Sequence, residues 1–490
     1  MASKGKRART KISSILSTGM NWQHSCSDKK AAFLASDDLT ATYGDIRRIS
    51  KKFLFLNRRL VLCLLNNNIY GLTGYIGILQ AGAAVQLMSS DSNSQSIQEI
   101  ISSYRPSYLW LPSFMKEQLD ESNIIHEIGN YSLIKINQNY IDLNSELMLL
   151  LGTSGSTGSP KFVRLSKENV LSNAKSIAKY LELDQNDLPI TTLPPSYTYG
   201  LSIIHSHLLV GASIAVTDKT FFDREFWDFF RRGQVTSLAG VPYHYEMLKK
   251  LRFTEMELPS LRKLTQAGGR MEPELTREFA TFARDRGIEY FTMYGQAEAT
   301  ARMSYLPPER AITKAGSIGV AIPGGRFWLE DENGQVIQEE DVAGELVYSG
   351  PNVSMGYASS YEDLAKGDER GGILRTGDLA KRDPDGDYCI VGRLKRFIKL
   401  FGHRTNLLDI EKFLLSEGYI TACSGQDDLL EIYVLNHEEA EGKKIKQMVC
   451  NHLKVALQGV VVYAISEFPR NDSGKIQYGE LKPALGAKIA

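Results

Sequence analysis

The sequence predicts an α/β protein. A large N-terminal domain of layered α/β sheets, with a small barrel-like β segment, is followed by a small α+β C-terminal domain. Three observations point there. Between residues 40 and 111, wholly apolar runs such as LVLCLL (60–65) alternate with segments of helical period. Strands buried on both faces between helices read this way. From about residue 316 the texture changes to short strand-like runs separated by turns such as Asn333-Gly334. The last stretch, about 95 residues, runs helix, strand, helix, strand, which is large enough for a domain of its own.

Taken in order, residues 40–50 predict a short strand and then a helix, with Thr42 as its cap. The run 60–65 is a buried strand that Asn66, Asn67 and Asn68 terminate. Residues 69–82 form a helix with small Gly and Ala faces, 83–88 a strand, 94–104 a helix and 108–111 a strand. Residues 147–165, LMLLLGTSGSTGSPKFVRL, predict two strands joined by a loop of Gly, Ser and Thr. Ser166 caps the next helix, which places Val170, Leu171, Ala174, Ile177, Ala178 and Leu181 on one face. Residues 191–216 read as a strand entering a Pro-Pro loop, an apolar helix and a second strand. SLAGVP (237–242) and KLTQAGGRM (263–271) each read as a strand ending in a Gly-rich turn, where open α/β sheets place ligands. Residues 289–300 are a strand and a turn. In the C-terminal part, LLDIEKFLLSEG gives a helix, 431–435 a strand, 443–457 a helix and 461–465 a strand. The expected domains are 21–394 and 395–490, behind a basic tail at 1–20.

The 147–165 loop carries the first chemistry. Its glycines let backbone N–H groups approach an anion closely. The hydroxyls of Thr153, Ser154, Ser156 and Thr157 add donors, and Lys161 adds a charge. Phosphate suits such a cradle, and a flexible Gly/Ser linker is the bland alternative. A Walker A loop requires Lys directly after its second Gly and then a helix. Here Ser159 and Pro160 separate Gly158 from Lys161, and the residues that follow are strand-like. The loop is therefore expected at the tip of a β-hairpin.

Composition excludes several classes. Lys+Arg and Asp+Glu are 57 each, which argues against a general nucleic-acid or membrane-surface role. Cys26, Cys63, Cys389, Cys423 and Cys450 are scattered and lack metal-site spacing, so reduced thiols and a cytoplasmic location are expected. No apolar stretch reaches the roughly 18 residues of a membrane span. Residues 200–216 come nearest, and His205, Ser206 and His207 interrupt them. Lys4, Lys6, Arg7, Arg9 and Lys11 lack the apolar segment of a secretory signal.

Other candidates are single residues in turns. Glu298 follows a strand; a lone carboxylate is usually solvated, but beside a phosphate loop it can hold Mg²⁺. Asp378 sits in a Thr-Gly-Asp turn, where Asp is often only a turn-former. GRLKRFIKLFGHR (392–404) is strongly basic, and Lys475 lies in an exposed-looking loop.

Together these stretches resemble the adenylate-forming superfamily of acyl-CoA synthetases, peptide-synthetase adenylation domains and firefly luciferase. TSGSTGSPK (153–161) is similar to its phosphate loop, AGGRM (267–271) to its adenine turn, and YGQAE (294–298) to its Tyr-Gly-x-Thr-Glu motif. GSIGVAIPG, GELVYSGPNVSMGY, RTGD, the 392–404 segment and PRNDSGK (469–475) follow in the family's order, covering about residues 40 to 482. The resemblance implies ATP-dependent activation of a carboxylic acid as an acyl-adenylate, with release of pyrophosphate. Transfer to a pantetheine thiol follows, with coenzyme A favoured over a carrier protein. It implies ATP, Mg²⁺ and coenzyme A or carrier-protein phosphopantetheine as cofactors, and a small or medium acid as substrate.

The resemblance also implies roles for residues. Thr153, Ser154, Gly155, Ser156, Thr157, Gly158 and Lys161 take the pyrophosphate portion, and Glu298 holds Mg²⁺. Gly268, Gly269, Arg270, Tyr294, Gly295, Gln296 and Ala297 frame the nucleotide. Asp378 takes the ribose hydroxyls, with Arg393 nearby. Lys475 is the catalytic lysine, carried on a lid domain that rotates about Lys395, and Gly402 lines the thiol passage. The acid pocket draws on Tyr197, Thr198, His205, Gly240, Val241 and Tyr243, each of which also fits plain core packing. Three departures stand out. Ala297 replaces the usual threonine, Tyr197 stands where many acyl-CoA synthetases carry His, and Lys395 stands where Asp is commoner. Ala297 is the single feature favouring a non-catalytic binding homologue, and luciferase-like oxygenation has no distinct sequence feature.

Overall fold

A computed structural model describes residues 26–118, 123–137, 141–152, 161–401, 403–453, 455–470, 476–482 and 485–490, apart from the side chains of Lys395, His403 and Arg404. Thr153 to Gly158, Gly402 and Lys475 therefore lie outside the described residues. The described residues fall into two compact units: those within 26–152, 161–326 and 348–374 in one, those within 327–347 and 375–490 in the other.

The first unit is built on an eight-stranded sheet. Its order is Gly356–Ala358, Phe162–Ser166, Leu147–Gly152, Ala84–Ser89, Leu60–Leu65, Tyr108–Pro112, Tyr131–Lys135 and Ile124–Ile128. The apolar run 60–65 explains why helices cover both faces. Val61, Cys63 and Leu65 point into one core, and Leu60, Leu62 and Leu64 into another. Each such side chain, fully buried, contributes about 1.5–3 kcal/mol. The caps form as expected. Thr42 and Asp45 make a reciprocal capping box at helix Tyr43–Lys52, and Asn68 accepts from two N–H groups at the start of Ile69–Gln80. Ser166 and Asn169 do the same for Lys167–Tyr180.

The hairpin forms: Leu147–Gly152 pairs antiparallel with Phe162–Ser166, and Gly152 faces Phe162 across the gap that the loop spans. A second sheet has parallel strands Ser237–Gly240, Lys263–Gln266 and Glu289–Tyr294, then antiparallel Ser304–Leu306 and Val320–Ala321. The C-terminal ends of its three parallel strands carry residues 240–243, 267–271 and 294–298. The strand expected before the Pro-Pro loop is reduced to isolated bridges at Pro189 and Ile190. Helix Thr198–Val210 and strand Ile214–Val216 follow as expected.

In the second unit, the β-rich segment takes the form of a five-stranded sheet. Its order is Val336–Ile337, Arg326–Glu330, Gly344–Ser349, Ile373–Arg382 and Tyr388–Arg393. Thr376, Gly377 and Asp378 lie inside a continuous strand rather than in a turn; the irregularity is local, at Gly377 with φ 71°. The C-terminal part has a sheet of Thr421–Gln426, Leu429–Leu435, Val460–Ile465 and Ala487–Lys488 with helices Leu407–Ser416 and Glu439–Leu453. The last helix begins four residues before the expected 443. Glu439 and Glu441 occupy its first turn, where negative charge complements the free N–H groups.

Candidate active site

The turn after strand Glu289–Tyr294 is tightly specified. A Cβ on Gly295 would lie 1.7 Å from the Ala301 carbonyl oxygen, so no other residue fits. Thr300, a β-branched residue, is held at φ 67°, a strained conformation that only its surroundings can impose. Those surroundings come from Asn352. The Thr300 hydroxyl donates to the Asn352 carbonyl at 2.7 Å. The Asn352 amide donates back to the carbonyls of Ala299 (2.9 Å) and Arg302 (3.0 Å). The Ser354 N–H donates to the Glu298 carbonyl at 2.9 Å. Residues 352–357, the end of the GELVYSGPNVSMGY stretch, are the clamp on the 294–302 turn.

Glu298 is half-buried, and one oxygen, Oε1, accepts from the Tyr357 hydroxyl at 2.6 Å. Lys161, which closes the phosphate-type loop, sets its ammonium 3.8 Å from the centre of the same Tyr357 ring. Arg370 approaches that ring at 5.0 Å. Burial, and then the negative charge of Glu298, push the Tyr357 phenol up to about 12, so it stays protonated and donates. Tyr357 reaches this place because Gly356–Ala358 pairs with Phe162–Ser166. Arg164 on that strand is fully buried and donates to the carbonyls of Tyr357, Met355 and Lys366, and to Glu369. Neither Tyr357 nor Arg164 was marked as functional by the sequence. The available signal was Tyr357 closing the GELVYSGPNVSMGY stretch.

The adenine-type turn has Gly268 at φ 86°, with the Tyr197 hydroxyl 2.4 Å from where its Cβ would be. Gly269 abuts Pro242, Arg270 is exposed, and the Gln296 amide donates to the Tyr294 hydroxyl at 3.2 Å. Tyr197 ends the loop before helix Thr198–Val210, and Val241 is buried beside Gly268. Gly240 is buried and Tyr243 half-buried just beyond it. Thr198 and His205 line a cavity of about 10 Å³ with Thr300 and Ser202, close to the least volume that holds one water. His205 itself is 3% exposed, with Nε2 2.9 Å from the Tyr75 hydroxyl. Burial lowers it to about 3, so it is neutral. Ala297 packs at the edge of the main core.

In the second unit, Asp378 and Arg393 face each other across two strands, and Arg393 Nε lies 3.0 Å from Asp378 Oδ1. The Asp378 N–H donates to the Thr376 hydroxyl at 3.1 Å, and that hydroxyl donates to the Leu346 carbonyl at 2.7 Å. Next to Lys395, Arg396 donates to both oxygens of Glu411 (3.2 and 2.8 Å) and to the Cys423 carbonyl at 2.9 Å. Its guanidinium lies 3.8 Å from the Tyr478 ring centre, which ties the segment after Lys395 to the one after Lys475.

Among the described residues no three His, Cys, Asp or Glu side chains group to hold a metal. Mg²⁺ is commonly held by one or two carboxylates together with substrate phosphates. Glu298 fits the need, because Tyr357 occupies Oε1 and leaves the other oxygen for a ligand. No helix among the described residues is long and apolar enough to cross a membrane.

The AMP-binding enzyme family matches residues 55–358. A 2-succinylbenzoate–CoA ligase from Geobacillus sp. (strain WCH70) is 29% identical over 351 residues, covering 69% of each chain. An oxalate–CoA ligase from Arabidopsis thaliana is 31% identical over 274 residues, covering 55% of this chain and 52% of that one. Among solved structures, the o-succinylbenzoate coenzyme A synthetase of Bacillus subtilis in complex with AMP has a similar fold. It shares a TM-score of 0.74 and 22% identity, over 93% of this chain and 96% of that chain. The match over 55–358 spans the phosphate-type hairpin, the adenine-type turn, Glu298 and Tyr357: the chain belongs to the AMP-binding enzyme family.

Proposed function

We propose that the chain is an AMP-forming acid–thiol ligase, with coenzyme A as the favoured thiol. In the first half-reaction a carboxylate oxygen bonds to the α-phosphorus of ATP. The bond to the bridging oxygen of the β-phosphate breaks, and pyrophosphate leaves with the electron pair. In the second, a thiolate attacks the acyl carbonyl carbon, and AMP leaves with the oxygen that came from the acid. Negative charge gathers at the phosphates, so the site must present cations and donors there in advance. Lys161 supplies one such cation. Glu298 is the residue suited to hold Mg²⁺, which when bound neutralises phosphate charge. Asp378, oriented by Arg393 and by its N–H bond to Thr376, is suited to accept from ribose hydroxyls. Tyr294, Gly295, Gln296, Ala297, Gly268, Gly269 and Arg270 are proposed to frame the base and α-phosphate. Tyr197, Thr198, Gly240, Val241 and Tyr243 are proposed to border the acid. His205, which lines a small cavity with Thr198 and bonds Tyr75, is proposed to back that wall. Lys475 is proposed to bridge acid and nucleotide in the first half-reaction only.

One contact set carries the proposal. The lone carboxylate of the 294–298 turn and the cation closing the phosphate-type loop lie against one phenol ring. Exchange of labelled pyrophosphate into ATP, run with a panel of carboxylic acids and no thiol, tests it. Exchange that requires one of the acids is the expected result. Tight ATP binding with no exchange for any acid would mean a nucleotide-binding homologue instead. Supplying coenzyme A or a free carrier protein to the active acid then identifies the acceptor.

A further inference from the structure

Lys161 and Glu298 carry opposite charges and both face the place proposed for phosphates and metal. Two such groups on neighbouring strands and turns ordinarily pair, and a Lys–Glu pair would remove both from ligand binding. They do not pair here. The Lys161 ammonium rests on the face of the Tyr357 ring at 3.8 Å, and the Glu298 carboxylate takes the Tyr357 hydroxyl at 2.6 Å. A ring face attracts a cation, and a phenolic O–H attracts an anion, so one side chain satisfies both at separate points. The ring is fixed from behind. Its backbone pairs with Val163, and its carbonyl accepts from fully buried Arg164 at 3.0 Å. The Glu298 backbone is fixed as well, through its carbonyl to the Ser354 N–H.

We propose that Tyr357 is a positioning residue that keeps Lys161 and Glu298 apart and aims one carboxylate oxygen at the metal. It rests on the ligase reading above, in which Glu298 serves Mg²⁺ and Lys161 serves phosphate. The hydroxyl and the ring have separable duties. The hydroxyl occupies Oε1, so that a metal meets Glu298 through its other oxygen alone. The ring holds the ammonium away from the carboxylate until phosphate displaces it.

The test is ATP binding to the full chain by equilibrium dialysis, with EDTA and across a Mg²⁺ titration. The variants are Tyr357→Phe and Tyr357→Leu, each alone and with Glu298→Gln, all checked for wild-type melting. Tyr357→Phe keeps the ring. It is expected to leave metal-free ATP affinity within about twofold of wild type and raise the Mg²⁺ needed for half-maximal binding about tenfold, as loss of a metal ligand's partner does. In the Glu298→Gln background it should add no further shift. Tyr357→Leu should weaken ATP binding in EDTA as well, and Glu298→Gln should restore that loss by removing the carboxylate with which Lys161 pairs. A Mg²⁺ shift of the same size with and without Glu298, or a Tyr357→Leu protein with unchanged metal-free affinity, overturns the inference. Wild-type protein whose ATP affinity ignores Mg²⁺ overturns instead the reading it rests on.

Discussion

At the scale of single residues, the buried histidines make a prediction about pH. His205 is pushed by burial to about 3, and His207 and His244, also by burial, to about 4. An unfolded histidine titrates near 6.5. As pH falls below that, the unfolded chain takes up protons that the folded chain refuses. Stability is therefore complete above about pH 7 and declines as pH falls from 6.5 toward 3. For His205 alone the loss at pH 5 is about 2 kcal/mol. Urea unfolding at pH 7 and pH 5 checks this. His205→Gln should shrink the difference between the two by about that amount, and an unchanged difference would show that His205 keeps a near-normal titration in the fold. The other side of the residue scale is Ala297. In the nucleotide role proposed for the 294–298 turn, a threonine hydroxyl at 297 would add one donor, worth about 0.5–1.5 kcal/mol for an ordinary hydrogen bond. On the ligase reading proposed above, acid-dependent pyrophosphate exchange is expected to be slower without it, not absent.

At the scale of elements, the strand Gly356–Ala358 matters more than its length suggests. It brings Tyr357 to Glu298, and Arg164 locks it to the hairpin. Arg164 satisfies three backbone carbonyls and Glu369 from a fully buried position. Arg164→Leu removes this donor from the carbonyls of Tyr357 and Lys366 and from Glu369, while the Met355 carbonyl keeps the Glu369 N–H, and the expected destabilisation is about 3 kcal/mol. Denaturant unfolding measures it, and a loss below about 1 kcal/mol would mean that water replaces the guanidinium at little cost. This element also marks where sequence reading stops. The strand 60–65, the hairpin and the caps at Thr42 and Ser166 are legible because their causes are local: apolar runs, turn chemistry and a side chain three residues from its partner. Tyr357 and Glu298 are 59 residues apart, and Arg164 meets carbonyls about 200 residues away. Arg164 sits between Val163 and Leu165, where alternation places a charge on a solvent face. A strand that pairs from far along the chain turns that face into core. The bridge at Ile190 and the early start of helix Glu439–Leu453 are smaller cases, settled by partners and terminal charge rather than by apolar period.

At the scale of the whole molecule, motifs spread from residue 153 to residue 475 make sense as parts of one two-step reaction. Each unit carries its own finished fragment. In the first are Lys161, Tyr357 and Glu298 on one ring, with the adenine-type turn nearby in sequence order. In the second are the Asp378–Arg393 pair and the Arg396–Glu411–Tyr478 cluster that joins the segments after Lys395 and Lys475. The reaction transfers an oxygen atom from acid to nucleotide, which makes the adenylate route directly measurable. A substrate acid labelled with ¹⁸O in its carboxylate is turned over with ATP and coenzyme A, and the products are weighed by mass spectrometry. One labelled oxygen is expected in AMP for each thioester formed, and none in pyrophosphate. Label in inorganic phosphate, with ADP as the nucleotide product, would contradict it.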